Sequence, residues 1–259
     1  MNAPIPSAPR GSALRVEGLG LQIGGATILK DIDLDVAAGS LVGVIGPNGA
    51  GKTTLFNVVS GLVKPTSGRV VLDDRDITTA SVPARARAGL GRTFQTSSLF
   101  PKLTVLENVR LAAQVSIGGD YSLFRFPRGG DAATRVALEK LEAVGLGHKS
   151  DALAGDISHG DKRKLEIAVL LATEASLVLL DEPMAGVASG DVAGLVENIR
   201  AMQREKGCTV LMVEHHIDVL MGLVDKVAVM YFGTIIAFDT PQNVMANPLV
   251  QSAYLGTAA

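Results

Sequence analysis

The sequence predicts an α/β fold in which an antiparallel β layer precedes a core of parallel strands and a helical subdomain is inserted into that core. Three observations favour this fold. Short apolar runs typical of buried parallel strands recur at residues 41–45, 177–180 and 209–213. Alternating segments come before any helix, as expected of an antiparallel layer. From residue 96 to residue 172 the pattern is helical, without a convincing strand.

Composition limits the class of protein. The 259 residues allow one large domain or a core with a subdomain, and 47% apolar residues supply a sizeable core. The net charge of −2 predicts no general attraction to nucleic acid or to anionic lipid. The single cysteine, Cys208, lies in an apolar run and is interpreted as a buried small residue rather than a reactive thiol.

Two features of the sequence predict a cytoplasmic protein. Residues 1–12 are rich in Pro, Ala and Ser and have no apolar segment of the signal-peptide kind, so we predict a flexible arm. No run approaches 18 uninterrupted apolar residues, the length that suggests a membrane span. Residues 13–259 are then expected to form one domain.

The antiparallel layer is predicted from alternation. Residues 14–19 alternate, and in residues 28–36 Ile32, Leu34 and Val36 share one face while three aspartates share the other. We interpret the acidic face as a solvated strand face rather than a metal site. Residues 70–73 return to this layer after the turn residues of 65–68.

A glycine-rich loop follows the first buried strand. Residues 46–53 read G-x-x-x-x-G-K-T between that strand and a predicted helix over residues 53–60, which is the context of the phosphate-binding loop of P-loop NTPases. Glycines let successive N–H groups point at phosphate oxygens, and the helix adds its positive end. Lys52 would supply a full charge and Thr53 a hydroxyl for Mg²⁺. The predicted phosphate-binding residues are Gly46, Pro47, Asn48, Gly49, Ala50, Gly51, Lys52, Thr53 and Thr54.

The inserted helical subdomain is assigned to residues 96–172, between core segments 13–95 and 173–259. Thr104–Glu107 reads as a capping box that opens a helix through Gln114. A further helix is predicted from Asp131 to Val144, ended by a glycine. The sequence assigns no role to the intervening loop, Gly118–Gly130.

Two adjacent acids end the second buried strand. Asp181 closes the apolar run that starts at Leu177, and Glu182 follows it. Two carboxylates at the end of a buried strand are costly unless a cation is near. We therefore predict that Asp181 holds the Mg²⁺ shell and that Glu182 polarises a water for in-line attack on a γ-phosphate.

Two further residues are predicted to sense the γ-phosphate. Gln95 lies where the core meets the helical insert and is also a candidate metal ligand. His215 follows a buried strand, at the sheet edge where the ligand sites of α/β proteins lie. His216 is expected to start the next helix and to face away.

In this order, the motifs resemble those of the ATP-binding-cassette (ABC) ATPases, and the resemblance covers nearly the whole chain. It implies the ABC ATPase fold, ATP and Mg²⁺. The family signature Leu-Ser-Gly-Gly-Gln falls on residues 157–161, which read I-S-H-G-D and open a helix from Gly160 through Leu171. In the family this helix end faces ATP bound by the opposite subunit, so function requires a dimer. The implied signature residues are Ser158, His159, Gly160 and Asp161.

The chain departs from the family pattern in two places. His159 and Asp161 replace Gly and Gln, but Ser158 and Gly160 are retained, so we expect catalysis to survive. The adenine-stacking aromatic falls on Ile23, where aliphatic packing would replace stacking at a loss of around 0.5–1.5 kcal/mol.

Finer similarities indicate a transport role. Residues 91–95, 99–109 and 247–256 resemble the importer ATPases for branched-chain amino acids, whereas Ser-His-Gly in the signature is similar to the urea importer branch. The resemblance implies a subunit that is peripheral on the inner face of the membrane and bound to integral membrane permease subunits, with a periplasmic solute-binding protein as an indirect partner. It would dimerise with itself or with a related ATPase. Leu99 and Phe100 are expected to be exposed in a groove for a permease helix, and the alternative is that they belong to the buried core.

The sequence is also compatible with other functions. The solute could be urea, an amide or an organic acid. A soluble cassette acting on ribosomes or in DNA repair is disfavoured by the single cassette and short insert, and no nucleic-acid partner is expected. A P-loop kinase or GTPase is disfavoured by the signature and by the absence of an Asn-Lys-x-Asp run.

Overall fold

The computed structural model describes residues 13–93, 99–117 and 131–255. Gln95, the arm of residues 1–12 and the loop Gly118–Gly130 lie outside these described residues. The chain divides into two compact units. The first comprises Met1–Leu90, Ser176–Glu182 and Gln203–Ala259, and the second comprises Gly91–Ala175 and Pro183–Met202.

The strands of the described residues form two sheets. In chain order they are β1 (Leu14–Ile23), β2 (Ala26–Val36), β3 (Leu41–Ile45), β4 (Ser67–Leu72), β5 (Arg75–Asp76), β6 (Leu90–Arg92), β7 (Leu177–Asp181), β8 (Thr209–Val213), β9 (Lys226–Tyr231) and β10 (Thr234–Asp239). One sheet has the order β2-β1-β4-β5 and the other β10-β9-β3-β8-β7-β6.

The helices lie between these strands in the chain, except the last two, which follow β10. They are α1 (Lys52–Val59), α2 (Val82–Arg87), α3 (Val105–Ile117), α4 (Ala132–Ala143), α5 (His159–Thr173), α6 (Ser189–Lys206), α7 (Ile217–Met221), α8 (Pro241–Ala246) and α9 (Pro248–Leu255). A short 3₁₀ turn spans Gly147–Lys149. None of these described helices is long and apolar enough to cross a membrane.

The four-stranded sheet is antiparallel, as the alternation predicts. On β2, Ile32, Leu34 and Val36 are buried while the intervening aspartates are exposed. Asp33 accepts a hydrogen bond from the backbone N–H of Gly18 at 2.8 Å. The acidic face is thus a solvated strand face, and its buried counterpart joins the core of the first unit.

Parallel strands bring three chain segments to one level of the six-stranded sheet. β3, β8 and β7 are neighbours and are parallel, and Val44, Val213 and Asp181 are aligned in register. All three strands are completely buried, which explains their continuous apolar sequences. The chain segments that follow β3, β8 and β7 therefore meet at one edge of the sheet.

Several local expectations needed correction. The capping box at Thr104 is half formed: its hydroxyl accepts from Glu107 N–H at 3.1 Å, but the Glu107 carboxylate pairs with Arg110 instead. The predicted helix through Gln114 extends to Ile117. The six-residue helix α2 was not predicted, because it is too short for a helical pattern. Cys208 is buried as expected, and burial raises the pKa of its thiol to about 12.

A buried arginine ties α2 to the end of α1. The Arg85 side chain is almost completely buried, and every hydrogen bond that it donates goes to a backbone carbonyl. Its partners are Val58 and Val59 at 2.8 and 2.6 Å, Thr78 at 2.8 Å and Ala80 at 3.1 Å. Since the last carbonyls of a helix have no partner within the helix, Arg85 satisfies the end of α1.

Arg85→Met should destabilise the protein by about 3 kcal/mol or more, because it leaves several buried carbonyls without donors. Urea unfolding of the two proteins side by side measures this change. The matched control is Arg87→Met on the same helix, where the side chain is exposed and little change is expected. Equal stabilities for the two variants would contradict a structural role for Arg85.

Candidate functional site

The loop predicted to bind phosphate, called the phosphate-binding loop below, follows β3 directly. Gly46 has φ 154°, and a Cβ at this position would lie 2.2 Å from the carbonyl oxygen of Met230. Gly51 has φ 101° and is the N-cap of α1, which has no side-chain cap. Only glycine fits these two positions, and the N–H groups at the start of α1 are not satisfied by a capping side chain. The loop therefore has the form of an anion cradle.

Lys52 lies inside this loop. Its ammonium donates to the carbonyl oxygens of Gly46 at 2.6 Å and Pro47 at 3.0 Å, so it holds the loop closed around itself. Burial lowers the pKa of Lys52, while the charges of Glu182 and Asp181 oppose this shift. The predicted cation and the two predicted acids are thus close enough to interact within the first unit. Thr53, the predicted metal ligand on α1, is exposed.

The two acids end β7 in different environments. Asp181 is 1% exposed, as the last residue of the strand. Glu182 leaves the strand in the left-handed region, with φ 49°, and its N–H donates to the carbonyl of Val213 at 2.9 Å. A non-glycine residue in this conformation costs of order 1 kcal/mol and is often found at functional sites. Glu182 is thus held in a strained backbone conformation where the chain leaves β7.

His215 reaches Glu182 across the edge of the sheet. Its Nε2 lies 2.9 Å from Glu182 Oε1, although the two residues are 33 positions apart in sequence. This contact joins the end of β8 to the end of β7. His216 is the N-cap residue of α7, as expected, but its Nδ1 also lies 3.2 Å from Glu214 Oε2, so it is not free of the site.

Glu214 was not among the predicted site residues. It is 2% exposed, and its Oε2 accepts from the N–H of His215 at 3.0 Å and of His216 at 3.4 Å. The carboxylate therefore fixes the backbone that carries His215. An acid that directly follows an apolar strand and precedes a histidine was the available signal.

A cavity of about 220 Å³ lies between the loop and the end of β8. Its walls come from the phosphate-binding loop and from the end of β8, namely Ile45, Gly46, Pro47, Asn48, Glu214, His215 and Ile217. Ile23, the predicted adenine contact, ends β1 and is 57% exposed, which leaves its apolar side chain open to a ligand.

The predicted signature opens α5 in the second unit. Ser158 is the N-cap, and its Oγ accepts from the N–H of Asp161 at 3.2 Å. His159 and Gly160 begin the helix, which starts one residue earlier than predicted. Gln95 lies outside the described residues, so its predicted role stays a prediction.

Comparison with known proteins gives consistent results. The family described as ABC transporter matches residues 29–185. The high-affinity branched-chain amino acid transport ATP-binding protein LivG of Escherichia coli K12 is 36% identical over 250 residues, covering 95% of this chain and 98% of LivG. The lipopolysaccharide export system ATP-binding protein LptB of the same organism is 33% identical, covering 95% and 98%.

Solved structures agree with these relatives. The ADP conformation of MJ1267, an ATP-binding cassette of an ABC transporter, has a TM-score of 0.83 and 33% identity, covering 95% of this chain and 99% of that chain. A dimeric post-hydrolysis state of the cassette MJ0796, bound to ADP and phosphate, has a TM-score of 0.75 and 25% identity, covering 88% and 98%.

Proposed function

Because this chain belongs to the ABC transporter family of ATPases, we propose that it energises the uptake of branched-chain amino acids through a separate permease. The observation that carries the ATPase part of the proposal is the Glu182–His215 contact of 2.9 Å beside the phosphate-binding loop. Similarity to LivG over 95% of the chain supports this class of solute and does not favour the urea alternative.

In this proposal each described residue of the site has its own role in ATP hydrolysis. The loop N–H groups and Lys52 bind the β- and γ-phosphates, and Lys52 turns from Gly46 and Pro47 to the phosphate oxygens. Glu182 accepts the proton of the attacking water as general base. His215 donates to Glu182 or to the γ-phosphate, which couples the base to the presence of substrate.

The residues present fit Mg²⁺. Asp181 is a buried carboxylate at the same edge of the sheet as the loop, and Thr53 offers a hydroxyl at the start of α1. Hard oxygen donors of this kind are the ligands that Mg²⁺ prefers. The ion would neutralise charge on the β- and γ-phosphates when bound. Gln95 is proposed as a further ligand from the sequence alone.

ATP with Mg²⁺ should convert the Glu182→Gln protein into a dimer, while nucleotide-free protein stays monomeric. In the proposal, each ATP is completed by Ser158 and Gly160 of the opposite subunit, so ATP joins the two chains. Light scattering with and without ATP measures the mass. Lys52→Ala in the same background is the control, since it should remove the ATP-driven dimer. A monomer at saturating ATP and micromolar protein would overturn the homodimer and favour a related ATPase as the partner.

Phe100 is proposed to contact the permease. Its side chain is 57% exposed, yet its backbone is held in place by the buried side chain of Asn108, which accepts from Phe100 N–H at 2.8 Å and donates to Phe100 C=O at 3.1 Å. A rigidly held, exposed aromatic residue is typical of an interface anchor. The alternative that Phe100 belongs to the core is not supported by this exposure.

Phe100→Asp should leave the subunit folded and able to bind ATP, but should abolish its capture by permease-containing membranes. The control is Phe232→Asp at the β9–β10 turn, where the aromatic side chain is 81% exposed. Co-sedimentation with membranes and ATP binding are measured for both variants. Normal assembly of Phe100→Asp would place the permease contact elsewhere.

The solute is tested by uptake in the cells that encode this chain. Deleting the gene for this chain should abolish energised uptake of labelled leucine, isoleucine and valine at low external concentration. Only a gene that encodes the active protein should restore this uptake. Unchanged amino-acid uptake together with lost surface lipopolysaccharide would contradict the importer proposal and point to the function named for LptB.

A further inference from the structure

Three side chains form a polar cluster at the start of α5: Lys149, Ser158 and Asp161. The Ser158 hydroxyl donates to Asp161 Oδ2 at 2.8 Å, while its oxygen accepts from the N–H of Asp161 at 3.2 Å. Lys149, at the end of the 3₁₀ turn, donates to the same Oδ2 at 2.6 Å. The single proton of the signature serine is thus directed to a carboxylate of its own chain.

The Asp161 carboxylate lies in the first turn of α5. Burial alone would raise its pKa, but hydrogen bonds from Lys149 and Ser158, with the charges of Lys149 and Lys164, outweigh burial and lower the pKa. Asp161 is therefore ionised at neutral pH. An anion in the first turn stabilises a helix, but it also repels a second anion that approaches the same N-terminus.

The other cations named on α5 each contact a partner other than Asp161. Lys164 Nζ lies 4.0 Å from Asp191 Oδ1, and Arg163 pairs with Glu166 at 2.8 Å. Lys162 donates to the carbonyl of Gly155. Lys149 is thus the cation that contacts Asp161, and its side chain is more exposed than that of Asp161, at 37% against 13%.

We propose that Lys149 is a positioning residue of the signature, which lets the Ser158 hydroxyl turn from Asp161 to the γ-phosphate of ATP held by a second copy of the chain. When the serine proton leaves, Asp161 Oδ2 keeps the hydrogen bond from Lys149 and its charge stays balanced. Without Lys149, the carboxylate would retain the serine and repel the phosphate. A neutral glutamine at position 161, as the family pattern has, needs no such cation. This inference rests on the proposed ATP-joined dimer.

The test measures the ATP concentration at half-maximal dimerisation by light scattering, in the Glu182→Gln background. Lys149→Met should raise this concentration about tenfold or more, the worth of one charge-assisted hydrogen bond. Lys149→Arg should restore it. Lys102→Met is the matched control, since that lysine is exposed in the same unit. ADP binding should be the same in all variants, because the phosphate-binding loop lies in the first unit.

Asp161→Gln supplies the decisive comparison. Lys149→Met should have little effect once Asp161→Gln is present, because no charge then needs balancing, and this holds even if Lys149→Met alone lowers thermal stability. Unchanged dimerisation of Lys149→Met overturns the inference, as does an equal loss with and without Asp161→Gln. A background protein that stays monomeric in ATP overturns the proposed dimer and this inference with it.

Discussion

Replacing Glu182 by glutamine should leave ATP binding intact and slow ATP hydrolysis by about 10²–10⁴-fold, the usual loss when a general base is removed. The amide has nearly the shape of the carboxylate, so the strained backbone at φ 49° and the contact with His215 can persist. One negative charge near the phosphates disappears, so ATP affinity should be equal or higher.

Phosphate release under saturating ATP measures the rate, and calorimetry measures the affinity. Glu197→Gln on α6 is the matched control, because that carboxylate is exposed and pairs with Arg200 at 3.2 Å on its own helix. The control should retain the rate of the unmodified protein. Hydrolysis at that rate by Glu182→Gln would show that the base lies elsewhere.

Lys52→Ala should weaken ATP binding by about a hundredfold or more. Lys52 would form charge-assisted hydrogen bonds to two phosphate groups, each worth about 1.5–3 kcal/mol, and no other cation of the described residues lies inside the loop. The exposed Lys64 provides the control variant Lys64→Ala, which should bind normally.

Lys52 also holds the carbonyls of the loop itself, so loss of binding could come from a collapsed loop. Lys52→Met, which keeps the aliphatic stem in the buried loop, separates the two causes. If both variants lose binding and both melt close to the unmodified protein, the missing charge is responsible. Unchanged ATP affinity in calorimetry would contradict the assignment of Lys52.

Much of the candidate site could be predicted because it depends on local order in the chain. The G-x-x-x-x-G-K-T spacing fixes a loop geometry by itself, since glycine freedom and the start of a helix act within a few residues. One apolar run ends at Asp181 and another ends shortly before His215, and both predicted parallel strands. Parallel strands present their carboxyl ends at one edge of the sheet. Fold class and the main site residues follow from these patterns.

Two local features of the structure were not predicted correctly from the sequence. α2 has only six residues, from Val82 to Arg87, so no helical periodicity could develop. At Thr104 the capping box was only half right, because the Glu107 carboxylate had a stronger partner in Arg110. Competition between partners is not visible in a four-residue motif.

The sequence by itself determined the fold class, and it predicted the phosphate-binding loop, the acids of β7 and the serine of the signature. Only the tertiary structure decided which partners these segments meet: Glu182 meets His215, and Asp161 of the signature meets Lys149. These contacts depend on strand register and on how a helix end meets a preceding turn. Hydrogen bonds act over about 3 Å, so a shift of one residue in register would remove them while leaving every sequence motif unchanged.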